Sequence, residues 1–296
     1  MKTQTFGIEI ELTGITKKAA ANTVAGYFGT TAEYMGGAYD TYQVRDNSGR
    51  VWKLMSDSSI RQECRRGPAT SEHKVELVSP ICRYEDIETV QEIVRKLRRA
   101  GAISNQSCGT HIHIGLGTHT PQTLKNLANI VASKEDLIYR ALKVSANRSG
   151  YCQKADADFI ADLNQKKPTS LTGLADIWYA KYTGESRSAH YNSSRYRLLN
   201  YHSVFTKGTI EFRAFNSSVN HAGKIKAYIQ FCLAISHQAL TQRSASSRKT
   251  ATTNEKYTFR TWLLRLGLIG DEFKTARLHL LANLAGDIAW RHGEAA

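Results

Sequence analysis

QTFGIEIELT, at residues 4–13, is the stretch that decides the fold. Its isoleucines and leucine alternate with Glu9 and Glu11, a period of two that is typical of a strand with one buried face. Both glutamates therefore leave the same face, about 7 Å apart along the backbone. At that range and an effective dielectric near 20, two carboxylates repel by roughly 2 kcal/mol. This strand alone leaves two interpretations open, a polar face towards solvent or a row of acids for a cation.

The same spacing of ionic groups occurs on two later strands. THIHIG places His111 and His113 on one face, and GTIEFRAFN places Glu211 and Arg213 on one face. For the second pair the alternative is a salt bridge, worth about 0–1 kcal/mol if it is exposed. VELVSP adds Glu76 on a further predicted strand. Glycines flank the histidine strand and allow a ligand or a backbone to approach closely.

Taken together, these strands carry four carboxylates, two imidazoles and an arginine. Oxygen-rich donor sets suit Mg²⁺ or Mn²⁺, whereas structural zinc prefers cysteine and histidine. Several acids around hard cations, beside an arginine, are the groups that phosphoryl transfer from a nucleotide needs. The sequence contains neither GxxxxGK[ST] nor GxGxxG, which excludes a P-loop or Rossmann nucleotide site.

Strands and helices follow one another without regular βαβα alternation, which favours an α+β fold over a doubly wound sheet. Helical spacing predicts helices that begin near Thr16, Tyr84, Thr120 and His221. Two strands, at 195–205 and 209–215, are predicted around Lys207-Gly208.

We predict one domain at 1–243 that contains an insertion or lid at 146–195, a stretch rich in Asn, Ser, Lys and Tyr. A polar stretch at 244–256 is predicted to be a mobile linker. Two amphipathic helices are predicted in a C-terminal extension at 257–296.

The 296 residues are 41% hydrophobic, enough for a core, and carry a formal charge of +14. No apolar run is long enough to span a bilayer, and Glu9 and Glu11 interrupt any signal-peptide core. The five cysteines are an odd number without CxxC, which argues against a disulfide framework and predicts a cytoplasmic protein with reduced thiols. The charge fits solvated helix faces or a polyanion contact; nucleic acid is an alternative partner that no binding motif favours.

Five motifs, in order and at family-like spacing, resemble the putative amidoligase family, carboxylate–amine ligases related to glutamine synthetase and glutamate–cysteine ligase. They are FGIEIEL, DSSI, VELVSP, CGTHIHIG and GTIEFRAFN. The resemblance covers about residues 5–243. It implies a glutamine synthetase-like curved antiparallel sheet with helices packed on one face, ATP and metals on the concave face, and an appended C-terminal helical segment.

The resemblance also implies a ligand set for two metals, Mg²⁺ or Mn²⁺. Glu9 would join His111 and Glu211 on the metal nearer the nucleotide phosphates. Glu11 and Glu76 would hold the metal nearer the acyl acceptor site.

Further roles follow from the same resemblance. His113 would approach the ATP phosphates, and Arg213 would stabilise charge on the transferring phosphoryl group. Asp57 would accept a proton from the incoming amine, and Asn200 lies at a family-like position for cofactor binding. Ordinary turn and strand-end hydrogen bonding is the alternative for Asp57 and Asn200. Ser58 stands where the family loop usually has glycine, which restricts the backbone at this turn.

The function implied is an ATP-dependent ligase that joins a carboxylate to an amine through an acyl phosphate, on a peptide, protein, amino acid or small amine. Loops 58–72 and 146–195 are candidate lids, whose Arg and Lys could hold anionic substrates. The alternatives are a non-catalytic polyanion-binding protein on the same scaffold and a metal-dependent hydrolase that needs no ATP.

Overall fold

The computed structural model describes residues 1–65 and 67–290. Over these residues the chain forms eight strands and nine α-helices. In chain order they are β1 Phe6–Leu12, α1 Lys17–Phe28, β2 Ala32–Gly36, β3 Thr41–Arg45, β4 Val51–Met55, β5 Val75–Val78, α2 Ile87–Arg99, β6 Gly109–Gly115, α3 Pro121–Leu142, α4 Ala157–Lys166, α5 Leu171–Trp178, β7 Leu199–Asn200, α6 His202–Lys207, β8 Thr209–Asn216, α7 Ala222–Thr241, α8 Glu255–Arg265 and α9 Lys274–Leu281.

The strands form an open antiparallel sheet in the order β2-β3-β4-β5-β1-β6-β8-β7. The alternation read from the sequence of β1 is confirmed, because Ile8, Ile10 and Leu12 are no more than 1% exposed. The α+β class is confirmed as well. Two compact units divide the chain.

The N-terminal unit comprises residues 2–112 and 215–229. Its helix α1 begins where the Thr16 hydroxyl accepts a hydrogen bond from the amide of Ala19, and it ends at Gly29, whose φ of 69° suits glycine. The register of β1 and β5 sets Glu11 directly opposite Glu76. This pairing is what brings acids from two distant stretches of sequence together.

The C-terminal unit comprises residue 1, 113–214 and 230–296. Thr120 caps α3, as predicted, with Pro121 in its first turn. The C-terminal helices belong to the core of this unit, since Phe259 and Trp262 of α8 pack against Phe231 of α7 with ring centroids 5.9 and 5.6 Å apart. Buried aromatic contacts thus join α8 to α7.

The stretch predicted to be a mobile linker lies along α3. The Asn129 side chain donates to the carbonyl of Ala245 at 3.0 Å, and the Thr250 amide donates to the carbonyl of Ser133 at 3.0 Å. These bonds satisfy two backbone groups of the stretch, and its role as a mobile linker stays a prediction.

The strand predicted at 195–205 is wrong, because only Leu199–Asn200 is extended there and α6 follows at His202–Lys207. The Asn200 side-chain oxygen accepts a 2.8 Å hydrogen bond from the amide of His202 and so starts the helix. Gly208 ends it with a φ of 65°.

The insertion at 146–195 holds two α-helices, α4 and α5. Arg66 of the candidate lid loop and residues 291–296 of the C-terminal extension lie outside the described residues. None of the helices within the described ranges is long and apolar enough to cross a membrane.

Candidate functional site

Four carboxylates and an imidazole converge in the N-terminal unit; we call Glu9, Glu11, Asp57, Glu76 and His111 the acid cluster. Two overlapping groups of three residues each offer ligand atoms that lie within 4.8 Å of one another. Glu9, Glu76 and His111 form one group, and Glu11, Asp57 and Glu76 form the other. Glu76 therefore belongs to both groups.

Hydrogen bonds hold the glutamates of β1 in place. Nδ1 of His111 lies 3.1 Å from an oxygen of Glu9, and its Nε2 lies 3.7 Å from an oxygen of Glu11. The amide of Gly109 donates to the other oxygen of Glu11 at 2.6 Å. Gly109 of β6 thus positions one of the predicted ligands through its backbone amide.

Asp57 lies at the start of the loop after β4, and Met55 pairs with Glu76 across β4 and β5. The Asp57 side chain accepts a 2.7 Å hydrogen bond from the amide of Ser59, as in an Asx turn. In the described residues positive φ is confined, apart from glycines, to Asp40, Lys143 and Lys167. Ser58 thus needs none of the freedom of the glycine that it replaces.

The donor chemistry of the acid cluster fits Mg²⁺ or Mn²⁺. Carboxylate oxygens predominate, and one imidazole contributes nitrogen, as these ions accept. The Glu11 and His111 side chains are only 5% and 6% exposed. At 4.8 Å and an effective dielectric near 20, each pair of ionised carboxylates repels by about 3 kcal/mol. A cation would offset this repulsion, whereas a solvated polar face would spread the acids apart.

The other predicted ionic pair lies in the C-terminal unit, where Glu211 and Arg213 form an ion pair with side chains 4% and 5% exposed. This burial excludes the alternative of an exposed salt bridge on a solvated strand. Asn200 faces Glu211 across β7 and β8, and its side-chain amide donates to the carboxylate at 2.7 Å. Asn200 therefore orients Glu211 in addition to starting α6.

Two residues around Arg213 were not found from the sequence. Arg148, 3% exposed, donates from its guanidinium to the carbonyl of Arg213 at 3.0 Å. Nε of Arg213 donates to the carbonyl of Tyr151 at 3.4 Å. Both residues lie in the irregular start of the insertion, where no period marks buried positions. The signal that the sequence offered for Arg148 was an arginine in a stretch without a helix or strand pattern.

The predicted phosphate-binding histidine is buried in the C-terminal unit. His113 is 7% exposed, and its Nδ1 lies 3.0 Å from the hydroxyl of Thr209 on β8. The hydroxyl therefore orients the imidazole ring.

A second buried histidine ties the insertion to α6. Nδ1 of His202 lies 2.6 Å from the hydroxyl of Tyr179. Burial lowers the pKa of His202 and raises the pKa of Tyr179 to about 12, so both groups are neutral near pH 7. The bond holds the segment after α5 against the helix that follows Asn200.

A known protein family matches most of the chain. No curated protein compared with it is similar. The family described as "putative amidoligase enzyme" matches residues 2–236, which include every residue of the acid cluster and the Glu211–Arg213 pair. The chain belongs to this amidoligase family.

Proposed function

We propose that the protein is an ATP-dependent carboxylate–amine ligase that forms an amide or isopeptide bond through an acyl phosphate. The observation that carries this proposal is the acid cluster, in which ligand atoms from β1, β5, β6 and the loop after β4 lie within 4.8 Å of one another in each group of three. Family membership supports the reaction class.

The reaction needs two displacements. An oxygen of the substrate carboxylate attacks the γ-phosphorus of ATP, the bond to the bridging oxygen breaks, and ADP leaves. The amine nitrogen then attacks the acyl carbon, the carbon–oxygen bond to phosphate breaks, and the amine proton passes to a base. When bound, Mg²⁺ or Mn²⁺ would neutralise charge on the phosphates.

The residues of the chain take distinct parts in this proposal. Glu9, Glu11, Glu76 and His111 would hold the metals, and the family resemblance makes Glu211 a further ligand. Asp57 either completes the ligand set or accepts the amine proton. Its place among the ligand atoms favours the first role, because a carboxylate bound to a cation is a weak base.

Three more residues contribute to nucleotide binding or phosphoryl transfer in this proposal. His113 contacts the ATP phosphates, and Asn200 keeps Glu211 oriented through its 2.7 Å bond. Arg213 stabilises the negative charge that develops on the phosphoryl group in the transition state. A buried arginine beside a carboxylate is preorganised for this role, because neither group has to shed water during the reaction.

Hydroxylamine allows a test without knowledge of the natural amine, because it traps acyl phosphates as hydroxamates. We expect release of ADP and formation of a hydroxamate when the protein is incubated with ATP, Mg²⁺, hydroxylamine and a panel of carboxylic acids. Glu211→Gln and Arg213→Ala should each lower both rates by about 10²–10³. A hydrolase would release product without ADP, and a polyanion-binding scaffold would yield neither signal.

The variants need controls because removal of one partner from a buried ion pair destabilises a protein by about 3–5 kcal/mol. Arg213→Lys keeps the charge and loses the planar fork, so it should remain folded and slow. Arg140→Ala and Glu255→Gln break a 2.6 Å ion pair of the same residue types in the same unit. These two should retain normal rates; loss of activity in them, or normal rates in both site variants, would count against the proposal.

A further inference from the structure

Aromatic rings and an arginine contact one another in a row in the insertion and just after it; we call Tyr151, His190, Tyr191, Arg195 and Tyr196 the aromatic strip. The first three are exposed, and the last two are half-buried. The guanidinium of Arg195 lies 5.6 Å from the ring centroid of Tyr191 and 5.9 Å from that of Tyr196. Tyr196 meets Tyr151 edge to face at 5.7 Å. Tyr151 and Tyr191 are 48% and 62% exposed. Such rings at a surface favour a partner that covers them.

Arg195 is poised to bind an anion. One of its nitrogens, Nη1, donates to the carbonyl of His190 at 2.8 Å, and its guanidinium lies over the rings of Tyr191 and Tyr196. No carboxylate of the described residues lies within salt-bridge distance of Arg195. The remaining donors match the two oxygens of a carboxylate.

The charges around the strip identify the class of anion. Between residues 151 and 197, five of the seven basic side chains pair with an acid of the described chain: Lys154 with Asp136, Lys166 with Asp162, Lys181 with Asp156, Arg187 with Asp176 and Arg197 with Asp156. Only Arg195 and Lys167 have no acidic partner there. A phosphate backbone needs a row of available cations, whereas a single stacked arginine suits one carboxylate.

The openness of the strip indicates the size of the partner. Small-molecule sites are concave and bury most of their ligand. Tyr191 is instead 62% exposed on an open surface, and tyrosine with arginine is the composition of protein-binding hot spots. The strip is also linked to the buried Glu211–Arg213 pair of the same unit, because the carbonyl of Tyr151 accepts the bond from Nε of Arg213.

We propose that the aromatic strip docks an acidic polypeptide and that a side-chain carboxylate of this polypeptide is the acid that the enzyme activates. The proposal rests on the proposed ligase function. Tyrosine rings cover the backbone or apolar side chains of the polypeptide, and Arg195 binds one of its carboxylates. The substrate class is thus an acidic protein or peptide rather than a free amino acid or a nucleic acid.

Binding can be measured without turnover. Fluorescence anisotropy in EDTA, without ATP, would compare a labelled random copolymer of glutamate and tyrosine with labelled oligothymidylate and polylysine. We expect saturable binding of the copolymer that weakens at least about tenfold in Arg195→Gln and in Tyr191→Ala. Lys167→Gln removes the other unpartnered cation of the insertion and should change the affinity by less than about twofold. Circular dichroism melts confirm that the variants fold.

Three results would overturn the inference: no saturable copolymer binding, equal losses in Arg195→Gln and Lys167→Gln, or tighter binding of oligothymidylate that depends on Arg195. The two proposals fail separately. If small acids give Glu211-dependent hydroxamates while the copolymer does not bind, the docking inference alone is wrong. If the copolymer binds through Arg195 but neither it nor any small acid gives a hydroxamate, the ligase function is wrong and the docking surface stands.

Discussion

Glu76→Gln should raise stability without metal and remove the stabilisation that metal provides. Glu76 lies opposite Glu11 across β1 and β5 and belongs to both groups of the acid cluster. Glutamine keeps the size of the side chain and removes one charge. The variant therefore tests both groups with a single change.

The magnitude follows from the 4.8 Å limit on the ligand atoms, at which one pair of carboxylates repels by about 3 kcal/mol at an effective dielectric near 20. The imidazole of His111 offsets part of this repulsion at Glu9 and Glu11, so we expect a gain of about 2 kcal/mol in EDTA. That gain corresponds to a rise in Tm of roughly 4–8 °C. Metal at 100 times its Kd adds about 2.7 kcal/mol to the wild type.

Thermal melts of both proteins in EDTA and in Mg²⁺ or Mn²⁺ would check this. The variant should melt higher than the wild type in EDTA and shift little with metal, while the wild type shifts upwards. Glu33→Gln, an exposed glutamate on β2, makes the same change in charge outside the cluster and should leave the metal shift intact. A variant that melts lower than the wild type in EDTA, with an unchanged metal shift, would refute the shared metal site.

Three further predictions concern the C-terminal unit. Asn200→Asp should lower Tm more than Asn200→Ala, because it places a carboxylate where the amide now donates to Glu211 at 2.7 Å. Loss of the bond alone costs about 1.5–3 kcal/mol, and equal Tm values for the two variants would contradict the orienting role. Burial lowers the pKa of His119 to about 4, so the stability contributed by its neutral ring is present above pH 6.5 and is lost as the pH falls through 4. In urea titrations His119→Gln should remove up to about 3 kcal/mol of this pH dependence, and an unchanged pH dependence would contradict the lowered pKa. Trypsin should first cut within 244–256, as the sequence predicts, but the C-terminal fragment should stay bound because Phe259 packs on α7; its release on size-exclusion chromatography would contradict that packing.

The period-two pattern made the buried face of β1 predictable from the sequence. Ile8, Ile10 and Leu12 bury one face of β1, so the direction of Glu9 and Glu11 followed from the sequence alone. The register was not predictable in the same way. That Glu11 meets Glu76 depends on pairing between segments over sixty residues apart, and a slip by one residue would have turned Glu76 to the other face.

The predicted strand at 195–205 shows where local pattern misleads. Apolar residues around Asn200 suggest an extended chain, but its side chain accepts the bond from the amide of His202 and starts a helix after two residues of strand. Polar composition at 244–256 likewise does not reveal that Thr250 donates to α3. Side-chain to backbone bonds of this kind act over a few residues and leave no period in the sequence.

The burial of charge in both units argues for function more strongly than for stability. A buried ion pair such as Glu211–Arg213 is often no more stabilising than apolar residues of the same volume, because desolvation offsets the attraction. The acid cluster is costlier still, since carboxylates within 4.8 Å of one another repel whenever they are ionised. Hydrogen bonds nevertheless hold these carboxylates in place: the Gly109 amide donates to Glu11, and the Asn200 side-chain amide donates to Glu211. Backbone and amide donors that fix carboxylates in place lower the free energy of the ionised form, which is the form that binds a cation. In the proposed function, a bound cation would offset the repulsion among these carboxylates.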